Sequence, residues 1–430
     1  MARKRVVITG MGAVTPVGNN VQDTWANLSQ GKSGIERITI FDAGSFPTHI
    51  AGEVKNFDFE KWPAKGGDLR FLGRNSHFAL EAAEEAVKNA GLKNIPLDPS
   101  RIGLYFGAGD GGFDFPEYAS IVSDSISEGE VSVNKKSFLE NSVGRISAVS
   151  LMEQEPCQVV NHLAKIFNVQ GIVSNCLTAC AASSQAIGEA MEIIRRGETD
   201  VMITGGTHSM IHPLGVAGFN LLTALSTRND EPERASRPFD KQRDGFILSE
   251  GAGVLILEEL EHAKRRGAKI YAELVGYGVT ADAFRMTDPH PEGRGAIRAM
   301  GLALQDSAMK PEAIDYINAH GTSTQLNDQI ETHAVKQVFK ESAKRIPISS
   351  IKSMLGHMIA AAGVVEMIAS VLTIRNGLIP PTINYENKDE ACDLDYVPNQ
   401  ARRQEVKAVL SNSFGFGGQN VALIVKKIEG

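Results

Sequence analysis

Cysteine is scarce here: the chain has four in 430 residues. That is too few for a disulfide framework and fits a reduced, cytoplasmic setting. A basic excess is also missing. Lys and Arg number 44 against 51 Asp and Glu, a formal net charge of −7, so no surplus of positive charge invites nucleic acid or an anionic membrane. Uninterrupted hydrophobic runs are short. At the start, "MARKRVVITGMG" places basic residues before an apolar stretch, but Gly10 ends that stretch and no cleavage pattern follows, so it reads as a strand rather than a signal peptide. The longest candidate, "GHMIAAAGVVEMIASVLTI", contains His357 and Glu366 and is richer in Ala than Leu. It is expected to be a buried helix, not a membrane span. No low-complexity linker divides the chain.

What is abundant is glycine, 42 residues, which points to tight turns and close backbone approach. Short β-branched runs alternate with Ala-rich stretches, the pattern of an α/β protein with buried strands. "RVVITG", "RIGLYFG", "VMITGG" and "GVLILEE" read as strands in the first part; "IYAELVGYG", "YINAHG", "IPISSI", "AVLSNSFG" and "NVALIVKK" follow in the second. The two parts echo each other. Each opens with basic residues and a strand ending in Gly. Each later carries a small-residue helix ("ACAASSQAIGEAMEIIRRG", "GHMIAAAGVVEMIASVLTIRNG") and closes on a Gly-rich segment beside a strand. The expectation is two similar halves, 1–259 and 260–430, sharing one core.

Two cysteines stand four positions apart in "SNCLTACAASS". Cys176 and Cys180 lack the second Cys/His pair of a structural zinc site, and their spacing is not that of a redox pair. Cys176, inside a strand, reads as packing; Cys157 and Cys392 have no supporting context. Cys180 differs, because it sits between a strand and a helix whose first turns are Ala and Ser. There, free N–H groups and the helix dipole favour a thiolate, and small neighbours leave room for a substrate. From its context alone, Cys180 is either a nucleophile or a buried small hydrophobe. His320 in "NAHGTST" and His357 in "KSMLGHM" lie at strand or helix ends beside Gly, with Lys352 close before the second. Such imidazoles can donate to a developing oxyanion while Lys352 orients the cluster. His208 and His212 have helix-compatible spacing but no third ligand. "GMGAVT" lacks the remainder of a dinucleotide fingerprint, and "GFGGQN" lacks the Lys-Ser/Thr of a phosphate loop.

Taken in order, "TACAASS", "NAHGTST", "KSMLGH" and "NSFGFGG" resemble the β-ketoacyl-acyl-carrier-protein synthases of the thiolase superfamily, and within them the synthase II group. "VVITGMGAVTPVG" and "PPTINYENKDEACDLDYVPNQAR" extend the similarity over nearly the whole chain. The resemblance implies a thiolase-like five-layered αβαβα sandwich and a homodimer. It implies Cys180 as nucleophile, His320 and His357 as its partners, Lys352 supporting them and Glu366 paired with Lys352. It further implies an oxyanion hole from the backbone amides of Cys180 and Phe416, with Phe416 gating the acyl pocket. Thr322 and Thr324 would meet the phosphopantetheine arm of acyl carrier protein. Asn318, Glu366, Ser411 and Asn412 would be the candidates around a monovalent cation. No metal or redox cofactor is required by the implied chemistry.

That chemistry is a decarboxylating Claisen condensation of an acyl thioester with malonyl-acyl carrier protein. The segment from "GAGDGGFDFPEY" through "GRISAVSLMEQEPCQVVNHLAKIF" departs from the family pattern, leaving chain length open, with Phe113 and Phe115 as candidates for shaping the pocket. A thiolase would need a second reactive cysteine near the end in a Cys-x-Gly setting, and Cys392 in "EACDLD" does not fit. The alternatives are a condensing enzyme of a specialised polyketide-like pathway and a non-catalytic chain-length partner, against which Cys180 argues. Lys65, Arg70 and Arg74 are candidates for docking the acidic carrier protein.

Overall fold

The computed structural model describes residues 3–428 except 96, 110–113 and 128; Phe113 therefore lies outside the described residues. Ten strands form its main sheet: β1 (Val6–Val14), β2 (Ile102–Ala108), β3 (Val173–Cys176), β4 (Val201–His208), β5 (Gly251–Glu259), β6 (Ala272–Ala281), β7 (Tyr316–Asn318), β8 (Ile348–Ser349), β9 (Ala408–Gly415) and β10 (Gln419–Lys426). The helices that matter for the site are α1 (Arg74–Asn89), α2 (Phe115–Asp124), α3 (Lys135–Arg145), α4 (Ala148–Glu153), α5 (Cys157–Ile166), α6 (Ala182–Arg196), α7 (Pro213–Leu221), α8 (Arg294–Asp306), α9 (Gln325–Phe339) and α10 (Ala362–Asn376).

Strand order across the sheet is β8-β7-β9-β10-β6-β1-β5-β4-β2-β3. Reading outward from the centre, β1-β5-β4-β2-β3 on one side is matched by β6-β10-β9-β7-β8 on the other. The sense of pairing matches too: β4–β5 and β9–β10 are antiparallel, whereas β2 is parallel to β3 and β4, and β7 to β8 and β9. The two sides join through a short antiparallel pairing of β1 with β6, Val6 opposite Leu274.

Helices α6 and α10 fill the middle, each touching strands from both sides of the sheet, while α1 covers β1 and β5 and α8 covers β6 and β10 from outside. The result is an α/β sandwich in five layers. Small residues let the two central helices meet. A Cβ on Gly363 would stand 2.0 Å from Ser184 Oγ, so only glycine fits there. The Val364 N–H donates to Ser183 Oγ at 3.0 Å, and the Ser184 and Ser413 hydroxyls are 2.8 Å apart. This explains the Ala/Ser/Gly composition of both helices.

The suspicious apolar stretch is this central helix. Residues 359–376 are the one helix among the described residues long and apolar enough to cross a membrane, and 83% of that window is buried inside the fold. "GMGAVT" runs along β1, so no phosphate-binding turn forms there. His208 and His212 do not share a helix: His208 ends β4, and His212 caps α7, its Nδ1 accepting the Gly215 N–H at 3.2 Å. Cys176 lies on the edge strand and is only half-buried, its thiol donating to Ala182 O at 3.1 Å. Cys157 is exposed and Cys392 buried.

Candidate active site

Cys180 lies in, and His357 shortly precedes, a short turn at the start of a central helix, and the two turns share an unusual feature. Ala179, just before Cys180, has φ 48, and Ile359, two residues after His357, has φ 42. Left-handed backbone is uncommon for Ala and a genuine outlier for a β-branched residue. In each case a three-residue 3-10 turn (Ala179–Ala181, Ile359–Ala361) leads directly into a 15-residue helix, α6 or α10, that ends on a left-handed glycine. The turn at Ala179 brings the Cys180 sulfur to the helix N-terminus and into the floor of a cleft of about 290 Å³.

Cys180, His320 and His357 come together there, all buried, with their ligand-capable atoms within 4.8 Å of one another. The two imidazole rings are edge-to-face at 5.4 Å between centroids. Lys352 lies beneath them, 2% exposed. Its ammonium donates to His320 O at 2.6 Å, lies 3.3 Å from His320 Nδ1 and is ion-paired with Glu366. Burial raises the Glu366 carboxyl against the pull of Lys352. Thr322 and Thr324 line the same cleft with their hydroxyls 2.9 Å apart.

Burial, then the charge of Lys352, holds both histidines well below the usual imidazole range, so both are neutral. Their hydrogen bonds fix the tautomers. His357 Nδ1 accepts the Ile359 N–H at 3.3 Å, leaving the proton on Nε2, which is buried without a partner. His320 Nδ1 faces the Lys352 ammonium, a group that only donates. Each Nε2 is therefore a donor. A metal-binding histidine is arranged the opposite way, giving its second N–H to an acceptor so that the coordinating nitrogen is bare. The three side chains thus make a donor site for an anionic oxygen rather than a metal site.

The sulfur itself is protonated at rest. Burial pushes the Cys180 thiol up to about 11, while the backbone N–H of Phe416, the Lys352 charge and the N–H of Cys180 itself pull the other way. Below that value the thiolate fraction rises about tenfold per pH unit, so alkylation of Cys180 by iodoacetamide should climb through neutral pH and level off only near 11. Lys352→Met should move the midpoint higher still. Peptide-resolved mass spectrometry follows the reaction; a plateau by about pH 8 would mean that the site holds a thiolate.

Phe416 belongs to the turn after β9, and Gly415 is so close to the nucleophile turn that its Cβ would stand 3.3 Å from the Cys180 nitrogen. The backbone N–H groups of Phe416 and Cys180 both act on the sulfur. Of the four cation candidates, the structure brings three together. Asn318 and Ser411 are paired residues of β7 and β9. The Asn318 amide donates to the Glu366 carbonyl at 3.1 Å. Asn318 Oδ1, Ser411 Oγ and Glu366 Oε2 are buried without hydrogen-bond partners, oxygens suited to a hard cation. Asn412 alternates to the opposite face, where its amide meets Glu331 at 3.1 Å.

Several supporting residues escaped the sequence reading. Glu331 accepts the N–H groups of His320 and Gly321 at 2.9 and 2.8 Å, and burial pushes its carboxyl up to about 7. Asp328, one turn earlier on α9, accepts the Thr322 N–H at 3.0 Å. Arg243, fully buried, holds the carbonyls of Thr324 and Gln325 at 3.1 Å each. The only sequence signal was the acid pair three positions apart in "NDQIE". Arg74 is not free for docking, since it makes a two-pronged pair with buried Glu250 at 2.6 Å. Lys65 lies over Trp62, its ammonium 3.4 Å from the ring centre.

A neutral thiol at a helix start, two imidazole donors and a layered α/β scaffold define an acyl-transferring enzyme of the thiolase-like fold. Residues 3–263 match the beta-ketoacyl synthase N-terminal domain, and residues 271–386 match the beta-ketoacyl synthase C-terminal domain. The chain is 44% identical to 3-oxoacyl-(acyl-carrier-protein) synthase 2 of Coxiella burnetii, covering all of both proteins. It is 46% identical to the synthase of the same name from Synechocystis sp., covering 100% of this chain and 99% of that one. A type II PKS ketosynthase solved in complex with its acyl-carrier protein superposes with a TM-score of 0.87 at 36% identity, over 99% of this chain and 100% of that one. The chain belongs to the β-ketoacyl synthase family, and its chemistry is that of a condensing acyltransferase.

Proposed function

We propose that the protein elongates an acyl chain by two carbons, condensing it with malonyl-acyl carrier protein to give 3-oxoacyl-acyl carrier protein. The observation that carries this reading is the pair of neutral imidazoles presenting Nε2–H donors beside a buried thiol. In the first half-reaction the Cys180 sulfur attacks the carrier's thioester. A new carbon–sulfur bond forms, the carrier's sulfur leaves, and the thiol proton departs with it. The N–H groups of Cys180 and Phe416 would hold the oxyanion, each donor contributing ~3 kcal/mol. In the second, malonyl carrier protein loses carbon dioxide, and the electron pair of the broken bond becomes an enolate whose oxygen rests on His320 and His357. The enolate carbon attacks the acyl-Cys180 carbonyl and expels the sulfur, which takes up a proton from solvent water. Lys352, paired with Glu366, keeps His320 in the donating tautomer, and Thr322 and Thr324 line the path of the pantetheine arm. Incubation with an acyl carrier protein and malonyl carrier protein should yield one carbon dioxide per 3-oxoacyl product; carbon dioxide without any condensed product would contradict the reading.

Phe416 acts as the gate. Gly417, beside it, has φ 80, has no atom within 4 Å of where a Cβ would stand, and donates its N–H to Met286 O at 2.7 Å. Gly417→Val meets no steric wall, so it should cost only about 1–2 kcal/mol of stability through the left-handed backbone. By stiffening the turn it should slow Cys180 acylation. Stopped-flow acylation at the parental rate would remove the gate from the account.

The 1–259 and 260–430 halves are read as two copies of one unit, a view supported by the repeated strand order and the matched turns before α6 and α10. The working form is a homodimer in the cytoplasm, with acyl carrier protein as the transient partner. Strand β3 supports this, because it ends the sheet, with Val173 on it 40% exposed and Leu177 just after it 60% exposed. Light scattering at micromolar concentration should report a dimer, and Leu177→Asp should dissociate it. A fully active parental monomer would rule the dimer out.

A further inference from the structure

A second cavity, of about 620 Å³, shares no lining residue with the cleft at Cys180. One apolar layer separates the two. Ile211 and Phe41 line the second cavity and pack in the same cluster as Cys180, Ile359 and Phe416. Much of its wall is apolar as well, with Phe71, Leu72 and Phe115 facing it. The volume is that of a small-molecule site, and the apolar cluster that contains Cys180 forms part of its wall.

Polar side chains interrupt the apolar wall, among them Glu153, Arg70, Arg74 and Ser209. Glu153, at the end of α4, lines the cavity yet is only 5% exposed. Its Oε1 is 2.8 Å from His162 Nε2, and its Oε2 is buried with no hydrogen-bond partner. Arg74, on the same wall as Arg70, is committed to Glu250, which also takes the Ser209 hydroxyl at 2.8 Å. His208 precedes Ser209, and both of its ring nitrogens are buried without partners. Its Nδ1 is 2.7 Å from where a Cβ on Gly109 would stand. A chain end made only of methylenes would leave the Glu153 oxygen unpaired, and a buried acceptor without a donor is destabilising.

Building on the condensing-enzyme reading above, we propose that this cavity receives the acyl chain and selects one whose far end carries a hydroxyl. That hydroxyl donates to Glu153 Oε2. The preference resides mainly in Glu153, whose Oε2 is the buried acceptor left without a partner.

The test compares octanoyl and ω-hydroxyoctanoyl carrier protein as acyl donors, reading the rate of adduct formation on Cys180 by mass spectrometry. The parent enzyme should load the hydroxylated chain about tenfold faster, equivalent to about 1.4 kcal/mol. Glu153→Leu should reverse the order, and Glu153→Gln, which keeps size and the contact with His162, should reduce the preference. Equal loading of both chains on Cys180, or a preference that survives Glu153→Leu, overturns the inference and leaves the condensing reading intact. Absence of any adduct from either donor overturns the condensing reading instead.

Discussion

Cys180→Gln should abolish both the acyl adduct and condensation while malonyl decarboxylation continues. The side chain is 4% exposed at the floor of the cleft, with the N–H groups of Cys180 and Phe416 directed at it. A glutamine amide presents a carbonyl to those two donors much as a bound thioester does, so the site behaves as if already occupied. Decarboxylation needs no sulfur. It needs only donors for the enolate oxygen, and His320 and His357 are untouched by the change. Labelled carbon dioxide release and protein mass, measured on one sample, separate the two half-reactions. An acyl adduct on the variant would remove Cys180 from the nucleophile's role.

The histidine variants should fail the other way. His320→Ala or His357→Ala each removes one Nε2–H donor and should slow decarboxylation by roughly 10²–10³-fold, the loss typical of one oxyanion donor. Adduct formation on Cys180 should suffer less, because the backbone amides remain. His357 is the cleaner test, since its Nε2 has no partner in the resting site and the variant breaks no Nε2 hydrogen bond there. A His357→Ala enzyme that decarboxylates at the parental rate would show that its imidazole does not hold the enolate.

Much of this arrangement was legible in the sequence, because the residues that assemble it sit in locally distinctive settings. Cys180, His320 and His357 each stand where a strand or helix ends beside small residues, and the fold gathers those ends at one point. The small residues of the two central helices were legible too, since Gly363 and the serines of α6 record a helix contact that admits nothing larger. What the sequence concealed depends on long-range packing. Glu331 and Arg243 look like ordinary charges on a helix and a loop, and only the folded chain buries them against the backbone of His320 and Thr324. The contact of the Asn412 amide with Glu331, on the face of β9 opposite Ser411, was likewise invisible in the sequence. The i, i+4 spacing of His208 and His212 suggested a helix, yet the strand ends at His208 and the next helix begins only at Pro213. The tautomers of the two histidines were beyond any motif, because Ile359 and Lys352 set them through contacts made only after folding.

The most direct measurement is peptide mapping of the parent protein after incubation with an acyl carrier protein alone. The account predicts one acyl group per chain, held as a thioester on the peptide containing Cys180. It predicts none on exposed Cys157 or on Cys176 or Cys392, whose thiols burial pushes up to about 12. An acyl group on any other cysteine, or none at all on Cys180, would contradict it.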